Sequence, residues 1–241
     1  MKLKKHIPNL ISLLNALCGS IATYYALVDS NIPLAIYFML ASAIFDFFDG
    51  FTARAMKVYS PLGKDIDSLA DVISFGMAPA AMMSVALAAI GFHVPQIAFI
   101  IVPASVYRLA KFNNDSRQTT SFIGLPTPAN ALFFAGLAYW TFSHSSQIMH
   151  LPIMTEYKVY PMYVVTLLLM SYLLISEVPM FSLKGSSDKD PSAKKKQLIK
   201  VGAVIVIGLV SVILWRFTGF AIAILAYLLI NLFSFLKKRI P

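Results

Sequence analysis

Charge is scarce in this sequence. Asp, Glu, Lys and Arg make up 13% of its 241 residues, against 58% hydrophobic residues and a mean hydropathy of +0.73. A soluble domain of this length carries about twice that charged fraction, so a water-soluble globular fold is excluded and a polytopic membrane protein is indicated. Cysteine is nearly absent. The one residue, Cys18, lies in an apolar run, which excludes both a disulfide framework and a thiolate metal site. Histidine is thin as well: His6, His93, His144 and His150 are dispersed, with no pair at ligand spacing, and read as loop or interface residues. No internal repeat and no soluble domain stands out. The net charge of +9 is spread among apolar spans rather than gathered on one segment, so it speaks for membrane topology and anionic headgroups and against nucleic acid.

What is there is a succession of apolar spans separated by short polar turns. The pattern predicts an all-α, polytopic membrane helical bundle of about eight transmembrane helices, at roughly 9–28, 33–53, 65–90, 95–112, 127–143, 159–179, 199–215 and 218–236. The basic start, Met1 to His6, resembles a signal peptide, but the run that follows is long enough to be a retained first helix. Asp29-Ser30-Asn31 with Pro33 marks a tight turn. Residues 1–180 form a six-helix core, 181–198 a basic cytoplasmic linker, and 199–241 two additional helices with a basic tail. With both termini in the cytoplasm, only Lys158 and Arg216 of the 20 Lys and Arg fall outside.

The acidic residues that remain are concentrated. D-F-F-D-G-F-T-A-R, beginning at Asp46, is followed after eight residues by G-K-D-I-D-S-L-A-D, ending at Asp71. Asp46 and Asp49 share one helix face, and Asp67 and Asp71 share another. Two such faces turned together crowd four negative charges, an arrangement that repels itself unless cations are bound. Oxygen-only ligands suit two hard divalent ions, Mg²⁺ or Mn²⁺, and a two-metal site is a device for phosphoryl chemistry. Gly50, Ala53 and Gly63 leave space beside these faces for a flat ligand, and Arg54 supplies a forked cation suited to phosphate.

The spacing D-x2-D-G-x2-A-R-x8-G-x3-D-x3-D resembles that of the CDP-alcohol phosphotransferase family, with every defining position present. I-P-N-L-I-S-L-L-N-A-L-C-G, S-L-A-D-V-I-S-F-G-M-A-P-A, Y-R-L-A-K-F-N and F-I-G-L-P-T-P-A-N-A resemble its serine-using branch. Together these pieces cover residues 7–131. The resemblance implies transfer of a phosphatidyl group from CDP-diacylglycerol to the hydroxyl of L-serine, with release of CMP. It implies that Asp46, Asp49, Asp67 and Asp71 hold the two metal ions and that Asp71 is the general base. It further implies that Arg54 holds the pyrophosphate and that Gly50, Ala53 and Gly63 make room for cytidine, with Asn9 and Ser12 beside them on the donor. Ser12 stands where many relatives carry Thr, which keeps the hydroxyl. The branch also implies a homodimer, while composition makes the chain a multi-pass protein of the lipid bilayer and the Lys and Arg bias puts its active site on the cytoplasmic side.

The acceptor needs its own pocket. Arg108 offers a fork for the serine carboxylate, with Lys111, Asn113 and Asn114 close by and Asn15 a further candidate. Arg108 and Lys111 read equally as ordinary flanking charges, and Asn9 and Asn15 as contacts between helices. Two alternatives stay open: a relative using glycerol phosphate or inositol phosphate, and a cation transporter, whose acids are expected at the bilayer midplane rather than at helix ends.

Overall fold

The computed structural model describes residues 6–58, 60–114, 122–150, 153–180 and 191–239. Helices α1 (His6–Leu27) and α2 (Ile32–Ala55) pack along each other. Their turn uses Ser30 at φ 50°, and Asn31 caps α2 by accepting from the Leu34 N–H at 3.1 Å, with Pro33 in the first turn. The turn after α2 places Lys57 at φ 52°. Ser60 then caps α3 (Pro61–Asp71), its hydroxyl accepting from the Gly63 N–H at 3.0 Å.

This helix does not stop at Asp71. It runs through a π-helical segment, Val72–Met77, into α4 (Ala78–Ala89). The apolar window of the whole body Pro61–Ala89 is 61% buried, against 28% for α1 and 33% for α2, which makes it the centre of the bundle. Small residues let neighbours reach it. A Cβ on Gly19 would lie 2.6 Å from Ser74 Cα, and one on Gly76 would lie 3.2 Å from Ser105 Cβ. Ala78, Ala80, Ala81 and Ala86 are fully buried on α4.

A 3₁₀ turn, Pro95–Ile100, leads into α5 (Ile101–Asn114). Then follow β1 (Phe122–Ile123), α6 (Thr127–Ser143), the short α7 (Ser145–Met149), α8 (Ile153–Ile175) and β2 (Pro179–Met180). The two-residue strands pair antiparallel, Phe122 with Met180 and Ile123 with Pro179. The chain closes with α9 (Pro191–Trp215) and α10 (Thr218–Arg239). Helix α4 packs on α6, and α10 lies between α6 and α9. Gly136 is what admits α10, since a Cβ there would sit 2.7 Å from the Ala221 nitrogen.

A helical body occupies each of the eight expected spans. Among the described residues, His6–Leu27, Ile32–Ala55, Pro61–Ala89 and Gln197–Trp215 are long and apolar enough to cross a membrane, and Val159–Ile175 and Thr218–Phe233 are shorter apolar helices. This fits an integral membrane bundle. Boundaries differ in two places. Helix α9 starts at Pro191, inside the stretch expected to be linker, because proline is favoured in a first helical turn and the lysines after it are good helix formers. Helix α8 starts at Ile153, where a loop to residue 158 is expected from the sequence. Arg117, Lys2, Lys4, Lys5 and the segment 181–190 lie outside the described residues.

Candidate active site

The spacing of the aspartates becomes geometry where α2 and α3 approach. Asp46, Asp49 and Asp67 each bring a carboxylate oxygen within 4.8 Å of the others, a group that could hold a metal ion. Asp49 is 5% exposed and accepts from the Ser12 hydroxyl at 2.6 Å. Asp67 Oδ1 is buried with no hydrogen-bond partner among the described residues. A buried carboxylate oxygen left unmet beside two more carboxylates is the donor set of a hard cation, so the residues fit such an ion.

A cleft of about 200 Å³ opens next to this group. Its walls are Pro8, Asn9 and Ser12 of α1, Asp49, Gly50 and Ala53 of α2, Val58 and Ser60 of the turn, and Gly63, Lys64 and Asp67 of α3. The two glycines act partly through their neighbours. A Cβ on Gly50 would lie 3.2 Å from an Arg54 guanidinium nitrogen, so the missing side chain lets Arg54 fold back along α2. A Cβ on Gly63 would lie 2.9 Å from Asn9 Oδ1 and 3.0 Å from the Ser60 hydroxyl that caps α3.

Asp71 stands one turn beyond Asp67 and has its own support. Its Oδ1 accepts from Asn15 Nδ2 at 3.3 Å, and Asn15 Oδ1 accepts from the Ser74 hydroxyl at 2.6 Å. Asn15 and Ser74 are both fully buried. Because Ser74 donates to the carbonyl end of Asn15, the amide end is the one turned to Asp71. The Asp71 carboxylate also interacts electrostatically with Asp46, Asp67 and Asp49.

Residues 5–157 match the model of the CDP-alcohol phosphatidyltransferase family, a stretch that holds this whole constellation. The chain belongs to that family. It is similar to the CDP-diacylglycerol–serine O-phosphatidyltransferase of Bacillus subtilis, 36% identical over 133 residues, which are 55% of this chain and 72% of that one. It is 36% identical over 131 residues to the archaetidylserine synthase of Methanothermobacter thermautotrophicus, 52% of this chain and 54% of that one. It is 32% identical over 156 residues to the CDP-diacylglycerol–serine O-phosphatidyltransferase of Saccharomyces cerevisiae, 56% of this chain and 54% of that one. The match thus spans about half the length of the latter two.

In this member of the CDP-alcohol phosphatidyltransferase family, the remaining candidates come from α5, which packs along the central helix. Asn113 Nδ2 donates to the Ser68 hydroxyl at 2.7 Å, and Lys64 Nζ donates to the Asn113 carbonyl at 2.6 Å. With Gly76 facing Ser105, these contacts set an antiparallel register. Eight residues separate each pair on its own helix, and Arg108 falls level with the turn after Asp71. Arg108 is 4% exposed, so it is no flanking surface charge. Its Nε donates to the Leu125 carbonyl at 3.4 Å, and its guanidinium lies 5.3 Å from the centre of the Phe112 ring. Leu125 is held for this by the fold of F-I-G-L-P. Gly124 takes φ 76°, where a Cβ would meet Ser176 O at 2.7 Å, and the Leu125 N–H donates to Leu173 O at 2.9 Å.

Lys111 is otherwise engaged, paired with Glu177 at 3.0 Å. Asn114 bonds back to the Ala110 carbonyl at 2.9 Å. Asn15 spends both ends of its amide on Asp71 and Ser74, which makes it a support of Asp71. Ser60, Lys64 and Ser74 are among the site residues that the sequence reading did not single out. Ser60 carried a signal, since serine before proline at a helix start is a cap pattern. Ser74 carried none, because its partner is 59 residues away.

Proposed function

We propose that the chain is a CDP-diacylglycerol–serine O-phosphatidyltransferase, working at the cytoplasmic end of the bundle. The observation that carries this is the fixed carboxylate of Asp71 beside the Asp46–Asp49–Asp67 group, with buried Arg108 of α5 level with the turn that follows it. The cleft beside Gly50, Ala53 and Gly63 takes the cytidine diphosphate part of the donor, with Arg54 reaching its phosphates. Asn9 and Ser12 line the same wall, and Ser12 also fixes Asp49. Asp46, Asp49, Asp67 and Asp71 would hold two divalent ions, Mg²⁺ or Mn²⁺, which when bound neutralise pyrophosphate charge. Serine enters from the α5 side with its carboxylate on Arg108. Asp71 takes the proton of the serine hydroxyl as that oxygen forms a bond to the lipid-side phosphorus. The phosphorus–oxygen bond to CMP breaks, and CMP leaves.

Arg108 is the one Lys or Arg that is buried among the described residues. A single fork matches a carboxylate, whereas a phosphate-bearing acceptor calls for a denser basic pocket. The test is purified protein with CDP-diacylglycerol, a divalent ion and a panel of alcohols, scored for CMP release. Serine-dependent release that chelator abolishes is expected. Release only with glycerol phosphate or inositol phosphate would reassign the acceptor, and no release with any alcohol would overturn the reading.

A further inference from the structure

Asn130 is fully buried, and among the described residues neither its side-chain oxygen nor its side-chain nitrogen has a hydrogen-bond partner. A buried amide without a protein partner calls for a water or another molecule to meet it. Asn130 shares a face of α6 with Thr127, three residues earlier and also buried. Helix α6 packs against the π-helical segment that follows Asp71 and against α5. From α5 comes Arg108, whose Nε reaches the carbonyl of Leu125, five residues before Asn130. Among the described residues no carboxylate pairs with Arg108, the one salt bridge there being Lys111–Glu177. A buried cation with no counter-ion and a buried amide with both ends open are therefore held by adjoining elements, beside the turn that follows Asp71.

The chemistry of the two groups is complementary to a zwitterion. A guanidinium attracts any anion and does not tell an amino acid from a simple hydroxy acid. An amide oxygen is an acceptor and suits an ammonium, which a simple hydroxy acid lacks. We propose that Asn130 is a specificity-determining residue of the acceptor site, its Oδ1 accepting from the ammonium of an amino-acid acceptor whose carboxylate lies on Arg108. This rests on the serine reading above. It adds the element that distinguishes serine from acceptors of the same length without an amine.

The test compares wild type with Asn130→Leu and Asn130→Asp in the full chain. The readouts are the KM for serine, the KM for CDP-diacylglycerol, and inhibition by 3-hydroxypropionate, which lacks the ammonium. Asn130→Leu is expected to raise the serine KM by about ten- to a hundredfold, with the donor KM unchanged. It should leave 3-hydroxypropionate inhibition within about twofold, so that serine loses its advantage over the analogue. Asn130→Asp keeps an oxygen for the ammonium and should retain most serine affinity. An unchanged serine KM in Asn130→Leu would give the amide to a buried water and overturn the proposal. A parallel loss for donor, serine and analogue, or failure of Asn130→Asp to rescue, would mean a packing role and overturn it too. Wild type inactive with serine would instead strike the reading on which it rests.

Discussion

At the scale of single residues, the site depends on a side chain that touches no substrate. Asn15 holds Asp71 with its amide end because Ser74 has taken its carbonyl end. Replacing Asn15 with Leu removes the donor from a carboxylate that must point in one direction. A hydrogen bond to a charged group contributes about 1.5–3 kcal/mol, so kcat should fall about ten- to a hundredfold with the donor KM little changed. Ser74→Ala leaves the amide free to turn over and should lower kcat in the same direction by less. Steady-state kinetics on the two variants check this, and an undiminished kcat in Asn15→Leu would remove the support role. The aspartates themselves were legible in the sequence, since their i, i+3 and i, i+4 spacing survives in any helix. Asn15 was not legible in this role. An asparagine in an apolar run reads the same whether it contacts a ligand, another helix or a carboxylate, and its partner appears only once the register of the π segment is known.

At the scale of elements, the π-helical segment decides which side chains the central helix shows to its neighbours. It turns Ser74 toward α1, and α1 comes close only because residue 19 is glycine. Gly19→Val forces a side chain against Ser74 backbone and should destabilise the fold by about 1–3 kcal/mol. Among the described residues, nothing lies within 4 Å of where a Cβ on Gly202 of α9 would be. Gly202→Ala should therefore be neutral or stabilising, by up to about 1 kcal/mol. Thermal unfolding in one detergent compares the two, and a destabilised Gly202→Ala beside an unaffected Gly19→Val would reverse the packing argument. The helices were legible here because apolar runs and Pro or Gly punctuation mark them strongly. The π segment and the β1–β2 pair were not. Each is a local departure fixed by tertiary contacts, and V-I-S-F-G-M carries no period that distinguishes a π turn from an α turn.

At the scale of the whole molecule, the distribution of Lys and Arg argues that the aspartate end and both termini lie on the cytoplasmic side. In a Cys18→Ser background, Lys238→Cys and His150→Cys should label from opposite faces of sealed vesicles. Labelling of both from one face would require another count of crossings. The apolar helices follow from hydropathy, which the sequence carries openly; the inner sites follow from pairings between distant helices, which it does not. One feature of the cleft reaches further. Every residue that lines it lies between Pro8 and Asp67, within the first three helices. Arg108 and Asn130, assigned to the acceptor, come from the later helices α5 and α6, which contribute no residue to the cleft wall. The two halves can therefore diverge separately: substitutions along α5 and α6 can change which alcohol is accepted while the nucleotide-binding walls stay as they are.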